Sequence, residues 1–106
     1  MSVPDGDLDR LLEAMEDLRA LLDRHGVSNW AEWVERDIAS LRRGERRGLN
    51  HFLSAFGGMG SLNDLIICPE NGHRISRNEA EDVNRRLGDA RSRAHALASA
   101  LMRRTE

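Results

Sequence analysis

The chain has 106 residues, which is enough for one compact domain and too few for two. Hydrophobic residues make up 40% and charged residues 32%, a balance that excludes a membrane-embedded or a disordered chain. The net charge of -2 provides no positive field for nucleic acid or an anionic membrane. We therefore expect a single domain over residues 1–106, with no membrane and no nucleic-acid partner.

Residue types that are absent exclude several chemistries. All 16 basic residues are arginine, which excludes a lysine Schiff base and a Walker A phosphate loop, and the lack of tyrosine excludes a tyrosine nucleophile. The single cysteine, Cys68, excludes an internal disulfide. The acidic N-terminal segment has no apolar run of the secretory kind, so we predict a cytoplasmic location.

Two helices are predicted in the first half of the chain. Apolar residues spaced three and four apart predict a helix over Asp7–His25, with Gly26 as its stop. A second helix is predicted over Asn29–Arg43, with Ser28 as its N-cap and Gly44 after its end. Their apolar positions are Leu8, Leu11, Met15, Leu18 and Leu22, then Trp30, Trp33, Val34, Ile38 and Leu41. The short link between the two helices favours an antiparallel pair.

The middle of the chain predicts one short helix and a turn. Apolar spacing indicates a third helix over Arg46–Phe56, which Gly57 would end. The run Leu65–Cys68 is too short for its periodicity to separate a helix from a strand. Pro69–Gly72 is typical of a turn, because proline presets one dihedral angle and Asn-Gly accepts positive φ.

The last helix, predicted over Arg77–Arg103, begins with a capping box formed by Ser76 and Glu79. At 1.5 Å per residue it would be ~40 Å long, more than the ~33 Å diameter of a compact domain of this size. It should therefore protrude, bend at Gly88 or pack against another chain. The heptad face within Ala80–Leu101 predicts either the seam of a four-helix core or a homodimer interface. Its members are Ala80, Val83, Leu87, Ala90, Ala94, Leu97 and Leu101.

Together these elements predict an all-α fold, an irregular four-helix bundle with a short glycine-rich central connection. Residues 48–63 read GLNHFLSAFGGMGSLN and contain no Asp, Glu or Arg, although the chain is otherwise about one third charged. Charged side chains are rarely buried without a partner, so their absence favours a buried segment. We therefore expect this connection to lie inside the helices.

The loop Gly57–Ser61 has two interpretations. It is either a tight packing turn, with Ser61 and Asp64 as a weak capping box, or a contact site for a partner or ligand. In the second interpretation the backbone amides of residues 58–62 and the Ser61 hydroxyl would bind a phosphate or carboxylate.

The run FLSAFGGMGSLNDLII, with two tryptophans upstream and an alanine-rich helix downstream, resembles a bacterial family of small helical proteins of unknown function that share an FGGMGSLND-type loop. The resemblance is most specific over Phe52–Ile67 and extends from Trp30 to about Leu101. It implies a common fold unit and no known chemistry.

Any binding site is predicted at this loop and at the two tryptophans. The candidate residues are Trp30, Trp33, Gly57, Gly58, Met59, Gly60, Ser61, Asn63 and Asp64. A group of four arginines, Arg42, Arg43, Arg46 and Arg47, forms either a solvated helix end or a basic grip for phosphate or an acidic partner. No histidine or cysteine pair has metal-ligand spacing, so no metal and no cofactor are predicted.

Three functions are compatible with these patterns. The leading one is a non-enzymatic protein-interaction protein of the bacterial cytoplasm, of accessory or of immunity or antitoxin type. The alternative is a binder of a small anionic ligand that uses the Gly57–Ser61 loop amides. The third is an enzyme that uses Asp64 and His51 as acid–base groups.

Overall fold

The structure, a computed structural model, describes residues 5–105 and the side chains of residues 6–104. It contains four α-helices, which are α1 (Asp5–Arg24), α2 (Ser28–Arg42), α3 (Arg47–Ser54) and α4 (Arg77–Thr105). Two single 3-10 turns, Leu62–Asp64 and Pro69–Asn71, lie between α3 and α4. Residues 5–105 contain no strand, so the all-α prediction is confirmed. None of the helices within this range is both long and apolar enough to cross a membrane.

One core joins the four helices. The helix α1 packs against α2 and α4, and the short α3 packs against the same two helices. The apolar stripe of α1 is buried as its spacing predicts. The largest fully buried side chains are Phe52, Leu11, Met15, Leu18, Leu22, Leu62, Ile67, Leu87 and Val34. Every helix, and also the connection before α4, therefore contributes to the same core.

The predicted stops are confirmed at two glycines, and one predicted cap is wrong. Gly26 and Gly44 have φ values of 73° and 78°, the left-handed conformation that ends a helix. Ser28 does not cap α2, because the helix already includes it and Val27 occupies the N-cap position without a side-chain hydrogen bond. The corner before α2 is held instead by His25, whose Nδ1 lies 2.8 Å from the Arg74 carbonyl oxygen.

The last helix runs without interruption through Gly88. Its 29 residues give a length of roughly 43 Å, and the molecule measures 47 × 24 × 20 Å. At its start, Glu79 Oε1 accepts a hydrogen bond from the Ser76 amide, as in the predicted capping box. Four heptad residues, Val83, Leu87, Ala94 and Leu101, are buried within the single chain. The heptad face is thus part of this chain's own core.

The connection between α3 and α4 departs from the prediction. Gly48, Phe52 and Leu62 are buried, but residues 57–60 are exposed, so the glycine-rich part does not lie inside the bundle. The run Leu65–Cys68 is neither helix nor strand. The turn predicted at Pro69–Gly72 is confirmed as a 3-10 turn closed by Gly72 at φ 76°.

Two side chains of α4 hold this connection in place. Asn84 accepts from the Ile67 amide and donates to the Ile67 carbonyl oxygen, both at 2.8 Å. The Arg91 guanidinium donates to the carbonyl oxygens of Leu62 and Leu65, at 3.0 and 2.9 Å. These bonds pair the Ile67 amide and the carbonyl oxygens of Leu65 and Ile67, and they give a second donor to the Leu62 carbonyl oxygen, which also accepts from the Leu65 amide. The segment from Leu62 to Ile67 is therefore fixed to the surface of α4.

Candidate functional site

The backbone conformation of the glycine loop, residues 57–64, requires glycine at two positions. Gly58 and Gly60 have φ values of 84° and 76°, which side chains other than hydrogen rarely accept. A Cβ atom on either residue would meet no atom within 4 Å. The two glycines are therefore needed for the conformation of the turn, and the open space around them would hold a side chain.

The amides of the glycine loop already have acceptors within the chain. The Gly60 amide donates to Asp64 Oδ2 at 2.9 Å, and the Leu62 amide donates to the Ala55 carbonyl oxygen at 2.8 Å. The predicted capping box is not formed, since Asp64 binds Gly60 and the buried Ser61 Oγ has no partner among the described residues. The carboxylate of Asp64 thus occupies the place that an external anion would need.

The same connection exposes apolar side chains. Met59 is 100% exposed and Ile66 is 61% exposed, and they are the two large hydrophobic residues that stand out in the part of the chain described. Asn63 and Asp64 beside them are exposed as well. The connection between α3 and α4 therefore presents both apolar and polar groups to solvent.

The two tryptophans are half-buried and face different neighbours. Their ring centroids are 5.2 Å apart. Trp30 lines a cavity of about 380 Å³ together with Leu65 and His73. Trp33 stacks on the imidazole of His51, with centroids 4.1 Å apart and an angle of 15°. Trp30 therefore lies next to the segment that follows the glycine loop, whereas Trp33 belongs to the contact between α2 and α3.

A buried acid–base pair joins α2 and α3, and sequence reasoning missed one of its members. Asp37 is only 2% exposed, and its Oδ1 lies 2.6 Å from Nδ1 of His51. Burial raises the pKa of Asp37 above its usual value, and the hydrogen bond from His51 opposes this shift. The other oxygen, Oδ2, is buried without a partner among the described residues.

This pair lies in the wall of an open cavity of about 570 Å³ between α2 and α3. The cavity is lined by polar or small residues, which are Arg36, Asp37, Ser40, Arg47, Asn50 and His51 with Gly48 and Ser54. The sequence does indicate that Asp37 is buried. It lies four residues after Trp33 and three after Val34, on the apolar face of α2. A carboxylate at such a position requires a buried partner.

The arginines from the end of α2 to the start of α3 bind mostly to carboxylates of the chain. Glu45 pairs with Arg43 at 3.0 Å and with Arg47 at 3.1 Å, and these two bonds lower the pKa of Glu45 to about 2. Arg42 donates to Glu16 of α1 at 3.3 Å. For Arg42 and Arg43 this arrangement favours the solvated helix end over a free basic grip.

His73 and His51 each bind a different partner within the chain. His73 Nδ1 accepts from the amide of the half-buried Cys68 at 3.1 Å. His51 pairs with Asp37, so the predicted acid–base pair of His51 and Asp64 is wrong. Among the described side chains, no three His, Cys, Asp or Glu residues lie close enough to bind a metal ion together.

The raised pKa of Asp37 predicts a measurable pH dependence. The folded state holds this proton more tightly than the unfolded state, so stability falls as pH rises from about 3.8 through the raised pKa. We expect the free energy of unfolding of the native protein, minus that of Asp37→Asn, to decrease over this range. Urea titrations between pH 4 and pH 7 measure the difference. A difference independent of pH would contradict the assignment.

Comparison with known proteins gives one match. A family model described as "Domain of unknown function (DUF6966)" matches residues 23–76, about half of the chain. The matched range includes α2, α3, the glycine loop and the segment up to α4. The searches of curated proteins and of solved structures found no match.

Proposed function

Because this chain belongs to the DUF6966 family, a family of unknown function, we propose its role from its own surface chemistry. We propose that it is a non-enzymatic protein that binds a protein partner, of the accessory or immunity type, in a bacterial cytoplasm. The binding surface is the connection between α3 and α4, here called the partner surface and defined as residues 57–66.

The observation that supports this role is the exposure of Met59 and Ile66. A single exposed apolar residue is ordinary, but both large exposed hydrophobic residues of the described chain lie in one stretch of eight residues. Methionine adapts its shape to irregular apolar surfaces, which suits a residue at the tip of a loop. A partner with an apolar recess would bury both side chains.

The rigidity of the partner surface supports the same role. The Gly60–Asp64 bond fixes the loop, the buried Leu62 anchors it, and Arg91 holds the segment that follows. A segment that is already ordered loses less conformational entropy on binding than a flexible one. Binding would then cost little reorganisation of this chain.

We do not extend the proposal to anion binding by the loop amides. Two of the amides needed for it, those of Gly60 and Leu62, donate to acceptors within the chain. The nearby carboxylate of Asp64 would also repel an anion.

Substitution of Met59 tests the proposed surface. We expect Met59→Asp to abolish capture of the partner, because the charge would have to enter an apolar recess. The matched control is Ala20→Asp, which adds the same charge at an exposed position of α1. The measurement is quantitative mass spectrometry of proteins cross-linked in the source cells to a photoreactive residue at position 66.

The proposal requires a protein that is captured by the native chain and by Ala20→Asp but lost with Met59→Asp. Equal capture by all three chains would contradict the proposed surface, and so would the absence of any captured protein.

A further inference from the structure

We propose that the cavity between α2 and α3 binds the phosphate group of a small ligand, with Arg36 and Arg47 as donors and Nε2 of His51 as a further contact. This inference goes beyond the proposed function, since the cavity is lined by residues 36–54 and the partner surface by residues 57–66. Its argument rests on the position of His51, on the charge of the cavity and on its lining.

His51 is held in a defined orientation. Its Nδ1 is bound to the buried Asp37, and one face of its ring is covered by Trp33. The side chain remains 47% exposed and lines the cavity, and Nε2 has no hydrogen bond to any described residue. Since Asp37 occupies Nδ1, Nε2 is the ring nitrogen that is left for a ligand.

The burial of Asp37 indicates that this orientation has a use beyond packing. Burying a carboxylate costs free energy, and Oδ2 recovers none of it through a hydrogen bond within the described chain. An apolar residue at the same place in α2 would avoid this cost in free energy. Such pairs of a desolvated acid and a specific partner beside a cleft are characteristic of functional sites.

The charge of the cavity suits an anion. Arg36 and Arg47 line it, and both side chains are largely exposed, so each guanidinium can reorient toward a ligand. Arg36 is 4.0 Å from Glu32, a weak contact, and Arg47 shares Glu45 with Arg43. Within the lining, the two arginines exceed the one carboxylate, Asp37, by one positive charge, and a ligand would compete with Glu32 and Glu45 for the two guanidinium groups.

The lining offers a phosphate further hydrogen-bond donors. Asn50 and Ser40 add neutral donors, and the cavity has no large apolar side chain in its wall. Arginine forks match the geometry of phosphate oxygens in particular. The volume of about 570 Å³ exceeds that of a phosphate and lies in the range of small-molecule sites, so the rest of the ligand has room.

The test is a titration with inorganic phosphate at constant pH and ionic strength, followed by the NMR signals of the histidine Cε1–H groups. We expect the His51 signal to shift and saturate at millimolar phosphate. The signals of His73 and His95, which do not line this cavity, should stay in place. We also expect Arg47→Gln to weaken binding about tenfold, the usual effect of losing a hydrogen bond to a charged group.

The matched control for Arg47→Gln is Arg77→Gln, which removes the same charge from an exposed side chain at the start of α4. A site-specific interaction leaves the phosphate affinity of Arg77→Gln unchanged. The proposal would be overturned by no shift at His51, by equal shifts of all histidines, or by equal losses in the two variants. An equal response to acetate would also contradict it.

Discussion

Replacing Phe52 with alanine is expected to reduce the free energy of unfolding by ~3–5 kcal/mol. Phe52 is fully buried, and it lies on α3 at the centre of the core shared with α2 and α4. Its loss removes a large apolar surface and leaves a cavity that the surrounding helices fill only partly. Domains of this size are stable by ~5–15 kcal/mol, so the variant should be close to unfolding.

The matched control is Phe56→Ala. Phe56 contacts Phe52 edge to face at 5.3 Å and His95 at 4.8 Å, but it is only half-buried. We expect its loss to cost about 1–2 kcal/mol, because less apolar area returns to water. Urea unfolding followed by circular dichroism compares the two variants. Equal costs would show that Phe52 is not the central residue of this core.

Gly48→Ala is the second substitution with a large expected effect. A Cβ atom at this position would lie 2.7 Å from Ser40 Cβ and 3.1 Å from the Asp37 carbonyl oxygen. Since a backbone atom is involved, α3 would have to move away from α2. We expect a loss of ~2–3 kcal/mol, typical of overpacking in a tight contact.

Gly88→Ala is its control within the same chain. Gly88 lies inside α4, and a Cβ there meets no atom within 4 Å. Alanine in place of glycine in an open helix position gains ~1 kcal/mol. Urea unfolding should therefore give opposite signs for the two substitutions. The same sign for both would contradict the close approach of α2 and α3 at Gly48.

The helices could be predicted because their signals are local. Apolar spacing and glycine stops place every end of the four helices within two residues of its position in the structure. The third helix ends at Ser54 and not at Phe56, because residues 55–60 form turns with two left-handed glycines. The conformation of such turns depends on where the chain next packs against the core, and the pattern of apolar residues does not contain that information.

The glycine loop could be located from the sequence, but its burial was predicted wrongly. The absence of charged residues in 48–63 favours burial of the whole segment, but residues 57–60 form a surface turn, which needs no charge. The pairing of Asp37 could not be predicted from the sequence, for a different reason. Its partner His51 lies 14 residues away, and only the packing of α2 against α3 at Gly48 brings the two side chains together.

The anchoring of the partner surface has a consequence for how recognition could change. The hydrogen bonds that Arg91 and Asn84 form with this segment go to main-chain atoms of Leu62, Leu65 and Ile67. The outward side chains at positions 59, 63 and 66 form none of these bonds. Their identity can therefore be exchanged without loosening the support, so that one scaffold could be adapted to a succession of different partners.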